Sequence, residues 1–417
     1  MNFRYGYGKG YKEFSINDEN ILAELRQNTV EIGLTGAAEV ERAIENPIGS
    51  EKLRDIVKPG EKIAIITSDI TRPMPSKIVL PVVVKELEMA GVSRDDITVV
   101  FALGSHRKHT EEEKRYLVGD EIYNSIKCVD SDTKECVHLG ITKSGTPVDI
   151  FRCVAEADRR ICLGNIEFHY FAGYSGGAKA IMPGVSTRDA IQANHSQMVK
   201  NEARAGALDD NPVRIDIDEV VEFVPIDFIV NVVLDEKKQI IKAVAGHYIH
   251  AHREGCKFLD NLYKVEIPEK ADIVLTTPGG YPKDINLYQA QKALDNAKHA
   301  VKDGGIVILM ASCSEGFGEK VFERWIMSAD SPDTLINNIQ QNFELGGHKA
   351  AAIALVQKKA KIFLVSDMDD ELVRKMFMYP FKDVGEAIKA AFDELGHDAK
   401  VLLMPYGGST LPEVKGN

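Results

Sequence analysis

The chain has 417 residues, 44% of them hydrophobic and 27% charged, which is ordinary for a folded protein and long enough for more than one core. Its formal charge of −12, with no basic stripe interleaved with aromatics, argues against a general nucleic-acid binder. No run reaches the roughly 18 apolar residues of a membrane span, the N-terminus lacks an apolar signal core, and six cysteines lie scattered without a Cys-x-x-Cys pair, so a cytoplasmic protein with reduced thiols is expected.

Apolar runs alternate with helical patterns along the chain, which means an α/β fold. Lys62–Thr67 reads as a buried parallel strand that exits into Ser68-Asp69-Ile70-Thr71-Arg72-Pro73. Ser76–Met89 reads as a helix ended by Gly91. Ile97–Leu103 is the next strand, and it exits into Gly104-Ser105-His106-Arg107-Lys108-His109, with Thr110 capping an acidic helix start at Glu111. The third strand, Ile161–Ile166, breaks into a glycine-rich segment carrying His169, Gly173, Tyr174, Ser175, Gly176, Gly177 and Lys179. Amide donors, a hydroxyl and an amine gathered so closely suit a phosphate or other anion. The Walker pattern nonetheless fails, because Ala178 separates Gly177 from the lysine and Ala180 stands where the magnesium hydroxyl would be. Lys179 is then open to three roles: phosphate ligand, Schiff-base former or cofactor attachment point. Ser186 is expected to cap a helix carrying Gln192 and His195. Ligands of open parallel sheets collect beyond the carboxyl ends of strands, so the three exits should converge on one crevice.

Asp227–Leu234 and Gln239–Val244 look like an antiparallel hairpin, and His247, His250 and His252 read as solvated or capping residues at the opening of a helix reaching Leu262. The α/β rhythm restarts after a polar link, with strands expected at Ile273–Thr276, Gly305–Met310, Lys361–Val365 and Lys400–Met404. The boundary falls near residue 268, giving domains 1–268 and 269–417. In the second domain a Pro-Gly-Gly turn precedes Asp284, a candidate cap for a helix that brings Tyr288, Gln289 and Lys292 onto one face.

Asp69-x-x-Arg72-Pro, Gly104-Ser-His106-Arg, His169-Tyr with Gly-Gly-x-Lys179, His195, and Tyr288-Gln289-x-x-Lys292 together resemble the nickel-dependent lactate racemase family. The resemblance implies two α/β domains, each with a mainly parallel sheet flanked by helices, and an active site in the cleft between them. It implies a nickel-pincer nucleotide (pyridinium-3-thioamide-5-thiocarboxylic acid mononucleotide), made by separate cofactor-biosynthesis enzymes and linked covalently to Lys179. Tyr174, Ser175, Gly176 and Gly177 are placed beside that cofactor and His195 on the nickel. His106 and His169 become the acid/base pair, with Asp69, Arg72, Tyr288, Gln289 and Lys292 on a small 2-hydroxy acid. Imidazoles near their ordinary pKa of about 6.5 suit proton transfer in both directions, and a guanidinium suits bidentate carboxylate binding. Where lactate-specific members carry a tryptophan in the second domain this chain has His348, and its sole tryptophan, Trp325, lies on a different predicted helix. A polar wall suits a more decorated acid, such as malate or a sugar acid. Two rival classes remain open: a kinase or transferase using Gly173–Lys179 on a nucleotide with magnesium, and a non-enzymatic metal-binding protein using the histidines alone.

Overall fold

A computed structural model describes residues 1–415, which fold into two compact units, Val30–Asn261 and Met1–Thr29 together with Leu262 onward. The sequence reading assigned residues 1–29 to the N-terminal domain, whereas here they belong to the C-terminal unit. Their strand Ile21–Glu24 pairs in parallel with Val401–Met404, and their hairpin Asn2–Tyr7/Gly10–Ser15 places Tyr5 and Phe14 in that unit's core. A short strand in a linker-like stretch has no partner nearby in sequence, so only the tertiary fold reveals where it pairs.

In the unit Val30–Asn261 a six-stranded sheet has the spatial order Ile240–Gly246, Phe228–Leu234, Arg159–Asn165, Ile63–Ser68, Ile97–Ala102, Lys127–Asp130. All neighbouring pairs are parallel except the first, the expected hairpin. Ile63, Ala64, Ile65 and Ile66 are all buried, as are Phe228 through Val230, because helices cover both faces and the runs need no polar alternation. The helix Ser76–Met89 covers one face with Val79, Leu80, Val83 and Leu87, and Val92 packs with them after Gly91 turns the chain at φ +84°. The other unit repeats the plan with a wholly parallel sheet, ordered Tyr379–Phe381, Lys361–Val365, Val301–Met310, Ala271–Thr276, Val401–Met404, Ile21–Glu24. Its core is separate, built around Ile273, Leu275, Ile306, Ile308 and Leu403. No helix among the described residues is long and apolar enough to cross a membrane.

Candidate active site

Arg159–Asn165, Ile63–Ser68 and Ile97–Ala102 are neighbours in the sheet, so the loops that follow them emerge side by side. At the first of these exits in sequence, Asp69 is buried. Its Oδ1 accepts the Thr71 amide at 2.6 Å, and its Oδ2 lies 2.9 Å from Nδ1 of His106 on the neighbouring loop. Burial works against the carboxylate, but the hydrogen bond and charge of His106, with the bonds from Thr71, outweigh it and hold Asp69 below the usual carboxylate range. Asp69 is therefore ionised and accepts the hydrogen on Nδ1 of His106, which in the neutral form of the ring leaves the lone pair on Nε2. The carboxylate expected on substrate is hydrogen-bonded to an imidazole, while Arg72, three residues on, is exposed.

The glycine-rich loop has a different construction from the anion cradle its composition suggests. The Ser175 hydroxyl donates to the Asn165 carbonyl at 2.7 Å and accepts the Glu167 amide at 2.8 Å, and the Gly177 amide donates to Asn231 Oδ1 at 2.8 Å. These donors, on which the nucleotide-phosphate reading relied, are consumed inside the protein. The glycines answer to the same inward packing. At Gly173, φ +75°, an added Cβ would stand 1.8 Å from the Ala207 carbonyl oxygen; at Gly177, φ +61°, it would meet the His252 ring at 3.0 Å. Tyr174, expected beside a cofactor, is fully buried, and its hydroxyl donates to Asp260 at 2.6 Å.

Beneath the loop lies Arg214, which is fully buried and whose guanidinium donates to the carbonyls of Ala172, Tyr174 and Gly176. His252 donates from Nε2 to the carbonyl between them, Ser175 O, at 2.8 Å and accepts from Arg253 at Nδ1. Lys179 rises from this platform with its amine 5.8 Å from the Phe171 ring centre. Desolvation, then the charges of Arg214 and Arg72, push its pKa well below the ordinary lysine value, favouring the neutral, nucleophilic amine. His169 is lowered too, by desolvation first and then by Lys179, Arg72, His195 and Arg214. That these groups sense one another means the exits carrying Arg72 and His169 do converge. His169 Nδ1 accepts the Ala172 amide at 3.3 Å, so the neutral ring carries its hydrogen on Nε2. The two imidazoles are held in opposite tautomers.

The helix Arg188–His195 is capped by Thr187 rather than by Ser186, whose hydroxyl turns back to the Ile181 carbonyl. Its last residue, His195, is buried and donates from Nδ1 to Asn194 Oδ1 at 2.8 Å. The Asn194 amide group is oriented by Val213 O and Asp216 Oδ2, so the imidazole carries its hydrogen on Nδ1 and its lone pair on Nε2. Among the described residues no cluster of three or more His, Cys, Asp or Glu side chains could hold an ion. A cofactor that brings its own donors needs only an uncharged amine for the tether and one oriented imidazole, and Lys179 and His195 fit that requirement.

In the other unit the helix Leu287–Ala297 is capped by Asn286, which accepts the Gln289 amide at 3.0 Å, and not by Asp284. Asp284 is buried and accepts the Gly8 and Ser312 amides, tying loops that sequence distance hides. Gln289 and Lys292 are exposed and Tyr288 half-buried, with the Lys349 amine 3.9 Å over its ring. His348 is buried near Phe343 and accepts the Gly346 amide at Nδ1. Trp325, distant in the sequence reading, lies against Gly347, where an added Cβ would meet its indole at 2.4 Å, and donates to Glu344.

Arg214, His252 and Asn231 escaped the sequence reading. Asn231 did leave a signal, a polar residue in the apolar run Phe228–Leu234, whereas Arg214 looks like any surface residue of the helix Pro212–Glu219. His252 was read as solvated and is fully buried.

Comparison with known proteins matches residues 7–206 to the lactate racemase N-terminal domain and residues 267–411 to the lactate racemase C-terminal domain. A lactate racemase of Thermoanaerobacterium thermosaccharolyticum is 35% identical over 99% of this chain and 100% of its own, and that of Lactiplantibacillus plantarum is 35% identical over 96% and 97%. The structure of the lactate racemase apoprotein from T. thermosaccharolyticum superposes with a TM-score of 0.87 at 36% identity, covering 99% of this chain and 100% of the other.

Proposed function

Because the chain belongs to the lactate racemase family, we propose that it is an isomerase that inverts C2 of a 2-hydroxycarboxylic acid, with His106 and His169 as its acid/base pair. The observation that carries this reading is the pair of opposite tautomers: a neutral His106, donating to Asp69, keeps a basic Nε2 lone pair, and His169, accepting from Ala172, keeps an Nε2–H that can donate a hydrogen bond to a substrate oxygen. One ring is ready to take a proton while the other holds the same oxygen by a hydrogen bond. In the reading, Arg72 binds the substrate carboxylate through a two-pronged guanidinium contact. His106 removes the hydroxyl proton as C2 becomes planar, and His169, protonated from solvent at Nδ1 with the Ala172 contact given up, passes its Nε2 proton to the same oxygen as the opposite enantiomer forms and returns to a neutral ring. Exchange with solvent then restores both rings. When bound through Lys179 and His195, the nickel-pincer nucleotide supplies a reversible hydride acceptor for C2. Asp69 orients His106 rather than touching substrate, an assignment different from the one the resemblance suggested. Tyr288, Gln289 and Lys292 remain assigned to substrate, and Lys292 adds positive charge suited to a carboxylate.

Lactate is the substrate in the names of the relatives, while malate and sugar acids are the polar alternatives raised by His348. Trp325 beside Gly347 brings an apolar surface to the same segment and favours lactate. The test is intact-mass and nickel analysis of protein co-produced with the cofactor-biosynthesis enzymes, followed by loss of optical rotation on single enantiomers of lactate, malate and a sugar acid. The expected result is an adduct on Lys179, about one nickel per chain as one imidazole ligand implies, and racemisation of at least one acid. An active enzyme with unmodified Lys179 would overturn the reading.

A further inference from the structure

Between Asp69 and Arg72 stands Ile70, whose amide points away from the crevice and into the protein. It donates to Nε2 of His109 at 3.0 Å. On the far side of that ring, Nδ1 lies 2.6 Å from Asp130 Oδ1, while Asp130 Oδ2 accepts the backbone amide of His109 at 3.1 Å. Lys114 stands 3.9 Å from the same carboxylate. The His109 side chain is only 1% exposed and its ring packs against Phe101 at 5.1 Å between centres.

The chemistry permits one arrangement. A backbone amide can only donate, so Nε2 must carry a lone pair; the ring hydrogen is then on Nδ1 and goes to Asp130. Both nitrogens are occupied and the ring is closed off from solvent, so His109 has neither the proton nor the access to act as an acid or base. What it does is geometric. Asp130 ends the strand Lys127–Asp130, His109 lies on the loop after Ile97–Ala102, and Ile70 on the loop after Ile63–Ser68, so a chain of two hydrogen bonds ties three adjacent strand exits together. The residues on either side of the anchored amide are the ones that orient His106 and present the guanidinium.

We propose that His109 is a positioning residue: held by Asp130, its imidazole fixes the Ile70 amide and thereby sets the loop that presents Asp69 to His106 and Arg72 to the substrate carboxylate. The proposal rests on the racemase reading for its consequence in catalysis, and on the geometry alone for the state of the loop.

Two substitutions separate positioning from space-filling. In His109→Gln the side-chain oxygen reaches the place of Nε2 and can still accept from Ile70. In His109→Asn the shorter amide reaches only the place of Nδ1, keeps the bond to Asp130 and abandons Ile70. The Asn variant should lose about tenfold or more in kcat/KM, mainly through a raised KM because Arg72 rides on the loop, while the Gln variant stays within about threefold of the unmodified enzyme. Amide hydrogen exchange across residues 69–72 of the cofactor-free chain should speed up in the Asn variant and not in the Gln variant. Equal losses in the two variants, or exchange at 69–72 unchanged by His109→Asn, would overturn the proposal. An unmodified enzyme that racemises none of the acids tested overturns the functional reading alone, and the exchange comparison still decides what His109 does.

Discussion

Both units end their parallel strands in loops, but they furnish those loops differently. In Val30–Asn261 the loops rest on buried polar groups, with Arg214 and His252 under the glycine-rich segment, Asp69 behind His106, and Asn194 behind His195. In the other unit Gln289 and Lys292 stand exposed on the first turns of a helix. Groups that must hold a tautomer or stay uncharged need a supporting shell, because a misplaced or wrongly protonated ring loses the reaction altogether. A residue that adds charge toward a substrate tolerates freedom and solvent. In the proposed reading, the difference separates a part of the molecule assigned to chemistry from a part assigned to the choice of acid.

The comparison breaks most sharply at the histidines. Replacing His106 or His169 with Ala should each lower racemisation in both directions by about 10²-fold or more, with the Lys179 adduct and nickel retained by mass and metal analysis. Near-normal rates in both would remove the acid/base assignment. Next in size is the effect of the buried guanidinium. Lys179 in the cofactor-free chain should react with acetic anhydride near neutral pH ahead of the surface lysines. Arg214→Lys should preserve that reactivity, and Arg214→Met should lower it about tenfold as the lysine regains its proton. A labelling rate for Lys179 equal to that of the surface lysines would show that the platform does not tune it. In the exposed unit, Lys292→Ala should raise KM by roughly five- to tenfold with kcat nearly unchanged, as expected for a solvated charge that binds ground and transition states alike. A matching fall in kcat would place Lys292 with the committed groups.

The smallest expected effect is on stability. His169 and His252 are both held below their ordinary pKa, chiefly by desolvation, so the folded chain stays neutral at these sites where the unfolded chain gains protons. Unfolding therefore takes up protons as pH falls below the ordinary histidine value of about 6.5, and stability declines on that side and is level above it. Denaturant midpoints of the cofactor-free chain from pH 8 to pH 5 measure this. His252→Gln, which keeps a donor for the Ser175 carbonyl, should flatten the decline.

Much of the architecture was legible because strand burial and helix punctuation are local. Apolar runs such as Ile63–Ile66, the cap at Thr110 with Glu113, and the hairpin at residues 228–246 depend on nearest neighbours in the chain. The candidate residues of the first unit were legible too, since they fall at strand exits, where topology brings chemistry together. The boundary was harder. Nothing local in residues 1–29 says that Ile21–Glu24 will pair with Val401–Met404, because a short strand's partner is chosen by the sheet it completes.

What the sequence by itself determined was the α/β class, the three strand exits and the residues standing on them. The tertiary structure alone decided what each of those residues is bonded to. It turned Asp69 toward His106, spent Ser175 and the Gly177 amide inside the protein, buried Arg214 beneath the Lys179 loop and set Trp325 against Gly347. The physical reason is that tautomer and charge state are properties of a surrounding. Hydrogen-bond partners and desolvation come from segments tens of residues away in the chain, and they exist only once the sheets have been assembled.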